Sequence, residues 1–246
     1  GKGIYMDEGK LLVTKSNILT EAGYKLSLNE QRLILSAISK LDGRKPLPKD
    51  GDFTITAIEF ADVFGVPIKQ AYETLDNAVS RLYERDIKTF DRKGNARERF
   101  RWVDYVKYWD GEGKVTLSFS RKIIPYLTLL HNQLTTYDLK QISKLNSAYA
   151  IRFYELLVQF KSTGERFITL KKLKERLELT EQYSRFYNLK KRIIEPSIEN
   201  INQSTDLYVD WDIVKKGRNI TGLTFLFEQK VEVEHARCKH TMEMFA

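Results

Sequence analysis

The stretch that decides the fold runs from Leu189 to Phe227: LKKRIIEPSIENINQSTDLYVDWDIVKKGRNITGLTFLF. Its first part has the spacing of a helix. At about 100° per residue, Leu189, Ile193, Ile194, Ser197 and Ile201 gather on one side, extended backwards by Phe186 and Tyr187, and this side is expected to face a core. Ser184, Asn188, Lys191, Arg192, Glu195, Glu199 and Asn202 lie opposite, neutral and basic early, acidic late. Lys190 falls in the apolar sector, so this end is expected to protrude from its domain. Early cations also oppose the helix dipole, which favours acids there, and a broken local rule points to function. Pro196 removes a backbone hydrogen bond and crowds the Arg192 carbonyl, at about 3 kcal/mol in an unrelieved helix interior. A kink or a short break is expected there.

The second part reads as a hairpin. Leu207, Val209, Trp211 and Ile213 alternate with Tyr208, Asp210 and Asp212, the period of a strand. KKGRN supplies a cationic turn, and TGLTFLF returns with Leu223, Phe225 and Phe227 on one face. Upstream, NSAYAIRFYELLVQF gives a helix of about fifteen residues, Phe167 to Thr169 a short strand, and LKKLKERLEL a second helix. Thr180 or Ser184 is expected to cap the helix that follows. Helix, strand, helix, helix and hairpin is the order of a winged helix. In that architecture the last helix enters the major groove with its N-terminal residues foremost. The hairpin becomes a wing within reach of phosphates or an adjacent minor groove.

The same order occurs once before. Ser27-Leu28-Asn29-Glu30 is a capping-box pattern ahead of QRLILSAISKL, so a helix is predicted over 28–41. After the turn-rich RKPLPKDGD come a strand at Phe53 to Thr56, a helix from Ala57 to Phe64 stopped by Gly65 and Pro67, and a helix from Ile68 to Arg85. In the last, Ala71, Leu75, Ala78, Val79 and Leu82 face inward. Asp86 to Ser120, interrupted by DRKGNARER and DGEG, reads as two hairpins. Setting Ile55-Thr56-Ala57 over Ile168-Thr169-Leu170 brings Phe60 over Leu173, Phe64 over Leu177 and Val66 over Leu179. So long a period indicates a duplicated domain rather than a solenoid unit. The expected fold is α+β, tandem duplicated winged-helix domains, over 15–132 and 133–230, divided at the polar HNQLTT and followed by an unassigned stretch, 231–246.

Composition narrows the partner. The 246 residues carry a formal charge of +8 and a pI near 9.3, which favours a polyanion, and nucleic acid is the commonest. No window approaches the ~18 apolar residues of a membrane span, and no signal peptide stands at the start, so a cytoplasmic protein without a membrane partner is expected. The single cysteine, Cys238, fits a reducing compartment. No phosphate-binding loop occurs, and GEGK at 111–114 lacks the spacing. His131 stands alone, while His235 and His240 flank Cys238 in the unassigned stretch. Asp210 and Asp212 read as a solvated strand face. No catalytic residue, metal or cofactor is expected.

The Leu189–Phe227 stretch, with its basic helix ending in I-x-x-I-N, then T-D, a strand, K-x-G-R and a final apolar strand, resembles the C-terminal domain of the replication initiator (Rep) proteins of theta-replicating, iteron-bearing bacterial plasmids. NILTEAGYKLSLNEQRLILSAISKL is similar to the start of their first domain and YAIRFYELLVQF to the helix opening their second, so the resemblance covers about residues 15–230. It implies a protein that binds double-stranded origin iterons as a monomer, promotes origin opening, and recruits the host initiator and replicative helicase. It also implies a homodimer through the first domain that represses its own gene at an operator inverted repeat. Carried onto this chain, the base-reading candidates are Lys190, Lys191 and Arg192, with Ser184, Arg185 and Asn188 nearby, and the wing contacts to phosphate are Lys215, Lys216 and Arg218. In the first domain Lys69, Gln70, Glu73, Thr74, Asn77 and Arg81 lie on the outer side of the equivalent helix, aided by Arg92, Lys93, Arg97 and Arg99. Two other readings stay open: a repressor with the same folds and no replication role, and a DNA-nicking enzyme.

Overall fold

The computed structural model describes residues 9–42, 47–48, 51–91, 93–128 and 133–231. Side-chain caps set out its first helices. Strand β1 (Leu12–Ser16) ends on Ser16, whose hydroxyl accepts from Leu19 N and opens the short α1 (Asn17–Thr20). The predicted capping box is present at α2 (Leu28–Ser39): Glu30 N donates to Ser27 Oγ at 3.2 Å, and Ser27 N to Glu30 Oε2 at 3.0 Å. Strand β2 (Asp52–Thr56) runs into a second box, Thr56 with Glu59, at the head of α3 (Ala57–Phe64). Gly65 ends α3 at φ 65°, where any other side chain is strained. Helix α4 (Ile68–Tyr83) buries Ala71, Leu75, Ala78, Val79 and Leu82, the inward stripe read from the sequence. Strands β3 (Asp86–Phe90), β4 (Ala96–Arg101), β5 (Val103–Trp109) and β6 (Lys114–Phe119) complete this half.

The second half repeats the order with its caps in place. Strand β7 (Leu134–Asp138) ends on Asp138, which caps α5 (Leu139–Ser143) as Ser16 caps α1. Ser147 caps α6 (Ala148–Val158) as Ser27 caps α2, and after β8 (Glu165–Thr169) Thr169 caps α7 (Leu170–Arg176) as Thr56 caps α3. A helical run follows in three pieces, α8 (Phe186–Leu189), a π-turn over Lys190–Ile194 and α9 (Glu195–Ser204), and then strands β9 (Leu207–Lys216) and β10 (Asn219–Gln229). The three-stranded sheets have the orders β2-β6-β5 and β8-β10-β9, so β5–β6 and β9–β10 are the equivalent wings. Both halves are winged helices. The β3–β4 hairpin is an insertion of the first.

Strand β1, which the sequence pattern alone leaves in a loose start, joins the halves. It pairs antiparallel with β7, its own counterpart, in a register centred on Thr14 opposite Thr136, whose hydroxyls lie 2.9 Å apart. Around this pairing a polar network is sealed between the two halves of the chain. Lys15, 2% exposed, reaches both oxygens of the equally buried Glu155 at 2.9 Å. Tyr137 donates to Glu155 at 2.7 Å, and Arg152 donates to the Tyr24 hydroxyl and, at 2.8 Å, to the Ala22 carbonyl. Beside it Glu21 accepts from Arg166 at 2.6 Å and Arg176 at 3.2 Å. The inserted hairpin docks here too, through a bridge between Gly23 and Lys88 and the Lys88–Glu178 ion pair at 2.9 Å. Gly23 is needed for that approach, because a Cβ there would lie 2.9 Å from the Phe90 ring of the hairpin and 2.8 Å from the Glu175 carbonyl of α7.

Removing one member of a buried pair strands the other charge and typically costs about 3–5 kcal/mol. Glu155→Gln is therefore expected to lose roughly that much in urea unfolding of the full chain. The same network fixes the pH dependence. Burial pushes the Glu155 carboxyl up, but Lys15 and Arg152 outweigh it and hold its pKa below the ordinary value. Its stabilisation is thus complete above the unfolded value, roughly 4.3, and is lost as pH falls through the folded one. Burial, with the Glu155 charge beside it, pushes Tyr137 well above its ordinary value, and burial raises Tyr24. Their contribution is complete below roughly pH 10 and is lost as pH rises further. Urea midpoints across pH are expected to fall at both ends, with a shallower acid limb in Glu155→Gln.

Candidate nucleic-acid interface

The run from Phe186 to Ser204 is positioned by the loop before it. Helix α7 ends at Arg176 with Leu177 as its C-cap, and Glu178 and Tyr183 take left-handed φ of 55° and 56°. Lys174 fixes the loop by donating to the carbonyls of Gln182 and Tyr183, both at 2.9 Å. Neither Thr180 nor Ser184 caps the next helix, contrary to expectation. Arg185 occupies that position without a side-chain cap, so no capping side chain accepts from the N–H groups of the first turn. Tyr187, expected to extend the core face, is instead 66% exposed, because this end of the helix stands clear of its domain. It joins Ser184 and Arg185 on the outer surface, with Asn188 half-buried beside them.

Pro196 is accommodated by the π-turn. Glu195 N donates to the Lys190 carbonyl, five residues back, so the turn holds one more residue than an α-helical turn. The widening falls just before the proline, where its ring would otherwise crowd the Arg192 carbonyl. It also delays the phase of all that follows. Ile198, off the stripe at a constant 100° per residue, is buried with Ile193, Ile194 and Ile201. Asn202, which the projection set outward, turns to β9 and bonds Val209 N and O at 2.7 and 2.8 Å.

The three cations of this helix differ in their surroundings. Lys191 Nζ lies 2.8 Å from one oxygen of Glu195, and Lys190 Nζ 3.5 Å from the other. The hydrogen bond between Lys191 and Glu195 holds the lysine above and the carboxyl below their ordinary pKa values. Lys190, which the projection takes as a sign that this end protrudes, is partly exposed, and its Nζ lies 5.8 Å from the centroid of Trp211 on β9. Arg192 is exposed and forms no ion pair among the described residues. Lys215, Lys216 and Arg218 surround the tip of the β9–β10 wing, all exposed and likewise without ion pairs among the described residues. Gly217 starts the two-residue turn at φ 62°, as such tips require.

The first half is arranged differently. On α4 Lys69, Gln70, Asn77 and Arg81 are exposed and Thr74 half-buried, and the N-terminus again lacks a side-chain cap. Its wing tip is Asp110-Gly111-Glu112-Gly113, acidic where the second is basic. Lys107 and Lys114 lie over Trp109 on this wing, at 3.5 and 4.5 Å from the ring centroid. Lys93, Arg97 and Arg99 sit on the inserted β3–β4 hairpin and its turn, not on the wing. Arg97 pairs with Asp91 at 3.1 Å and Arg99 with Asp86. Arg92, His131, His235, Cys238 and His240 lie outside the described residues. Among the described residues no three His, Cys, Asp or Glu side chains are grouped to hold a metal ion, and no helix is long and apolar enough to cross a membrane.

Comparison with known proteins matches two stretches of the chain, the first of which runs past β7 to the end of α6. A family described as "Initiator Replication protein, WH1" matches residues 12–158, and one described as "Initiator Rep protein, WH2" matches residues 169–227. An uncharacterized 27.6 kDa protein of Escherichia coli is 29% identical over 223 residues, covering 85% of this chain and 92% of that protein. The PI protein of Escherichia coli is 24% identical over 253 residues, covering 89% and 83%. Among solved structures, the Pi initiator protein in complex with iteron DNA superposes with a TM-score of 0.78 at 23% identity, over 91% of this chain and 99% of that one. At that identity the superposition shows a shared fold.

The π-turn makes a measurable claim about Pro196. An interior proline costs about 3 kcal/mol, which Pro196→Ala would recover if the ring strained a regular helix. With the turn already widened, Pro196→Ala is expected to shift unfolding free energy by less than about 1 kcal/mol, as read by urea denaturation.

Proposed function

The chain belongs to the family of initiator replication proteins built from WH1 and WH2 domains, and from that premise we propose that it is a plasmid replication initiator that reads the iterons of its origin. The observation that supports this most directly is the exposed Lys190–Arg192 face of an uncapped helix beside a wing tip bearing three further cations. In the proposed complex the helix enters the major groove and the wing follows the phosphates. The second domain, 133–230, carries the main reading of the iteron. Lys191 and Arg192 read base edges, with Lys190, Asn188, Arg185 and Ser184 alongside; Lys215, Lys216 and Arg218 hold the backbone.

The first domain, 15–132, supplies backbone contacts through α4 and the β3–β4 hairpin, and the surface for self-association. Its acidic wing tip and paired arginines suit it less to phosphate than the second domain. The monomer engages iterons, helps open the adjacent duplex and gathers the host initiator and replicative helicase in the bacterial cytoplasm; the dimer represses its own gene at an inverted repeat. No bond is broken in this reading. Specificity and opening are supplied by binding energy, so the protein acts without catalysis.

The test is binding of the purified chain to the repeat array of the replicon that encodes it and to a scrambled duplex of equal length, over a salt series. Specific binders prefer their sites by at least about 10³-fold, and that preference is expected here. A base contact carries about 1–3 kcal/mol of discrimination, so Lys191→Ala or Arg192→Ala should weaken the repeat array more than the scrambled duplex. Lys216→Ala should weaken both alike and lower the salt slope by about 0.9. Equal affinity of the unaltered chain for the two duplexes would refute the reading.

A further inference from the structure

We infer that Glu195 is a specificity-determining residue of the second-domain helix: it holds Lys190 and Lys191 away from phosphates, so that the lysines bind only where base edges take its place. The inference rests on the proposed role of this helix in reading DNA.

The geometry is unusual for a surface ion pair. In a regular helix, residues five apart differ by about 140° around the axis, too far for one carboxylate to serve both Lys190 and Lys191. The π-turn removes most of that angle, and one carboxylate spans the two lysines at 3.5 and 2.8 Å. Helix stability does not account for the arrangement. A lysine four residues before a glutamate is the weaker of the two orders for such pairs, and although Glu195 is the first residue of α9, its N–H is already bonded to the Lys190 carbonyl of the preceding turn, so it is not at a free helix N-terminus where the dipole favours an acid.

The contrast with the wing is informative. Lys215, Lys216 and Arg218 have no carboxylate among the described residues and are open to any phosphate. The helix lysines are already neutralised in part. Phosphate contacts position a protein on DNA and base contacts specify the sequence, and the pairing separates those tasks by charge. On an arbitrary sequence, moving a lysine from Glu195 to a phosphate leaves a carboxylate facing a polyanion. On a cognate sequence, guanine O6 and N7 accept from the lysines, and the amino group of a neighbouring cytosine or adenine donates to Glu195. Only there are all the charged groups satisfied.

The experiment is Glu195→Gln in the full chain, measured beside the unaltered chain on the repeat array and the scrambled duplex across salt, with thermal melting to establish that both are folded. The substitution keeps the size of the side chain and removes its charge. Expected are about tenfold tighter binding to the scrambled duplex at low salt and a salt slope steeper by one to two, at about 0.9 for each additional phosphate neutralised. The preference for the repeats should fall about tenfold. An unchanged preference, whether or not both affinities rise, would overturn the role assigned to Glu195 while leaving the initiator reading in place. Absence of preference in the unaltered chain would overturn both.

Discussion

Lys15 and Glu155 are 140 residues apart in sequence and are sealed together with almost no exposure. A buried carboxylate and ammonium are tolerated only when each finds the other and their remaining hydrogen-bonding capacity is used. That requirement draws in Tyr24, Tyr137 and Arg152, and through Arg152 the carbonyls of Ala22 and Arg176. These residues come from both halves of the chain, so neither set of helices and strands completes its electrostatics without the other. The pairing of β1 with β7 and the docking of the β3–β4 hairpin lie around this charge pair. With the domains held in this way, each helix–wing unit is presented by a rigid support, as a reading surface requires.

Duplication gave two scaffolds that have diverged in charge. Caps and sheet orders correspond element by element, yet one wing ends in Asp110 and Glu112 and the other in Lys215, Lys216 and Arg218. Arg97 and Arg99 of the first half are tied to Asp91 and Asp86, within their own hairpin. In the proposed reading the second domain therefore carries most of the electrostatic attraction to DNA. Burial patterns maintain the fold in both, while surface charge distributes the work.

Much of this is legible in the chain because the signals are local. Ser27 with Glu30, Gly65 after Phe64 and the alternation from Leu207 to Ile213 each act within a few residues, and the structure places helices and strands accordingly. The cationic helix and wing tip are legible as exposed charge in regular elements. Strand β1 is not, since LVTKS is short and its lysine makes sense only opposite a distant glutamate. Arg152 and Glu155 do leave a trace, as the only charges in a helix otherwise apolar on every side. The π-turn leaves none, because a constant 100° projection assumes it away; hence Asn202 is set outward and Ile198 is missing from the inward face. Spacing alone sets Tyr187 in the core, whereas its exposure depends on where the domain surface ends.

The pairing of β1 with β7 also bears on how the protein comes into being. Thr14 and its partner Thr136 are separated by 122 residues, and that whole span of first-domain chain is synthesised between them. Ribosomes add roughly 5–20 residues per second, so β1 spends about 6–25 s without the strand that completes it. Through that interval Lys15 lacks its carboxylate and stays hydrated. The first half can collect its helices and the β2-β6-β5 sheet, but its opening strand joins only when β7 has been made. Closure of a long loop comes late in folding, and here it coincides with the sealing of the Lys15–Glu155 pair. An element made early in the chain is thus among the last to be fastened.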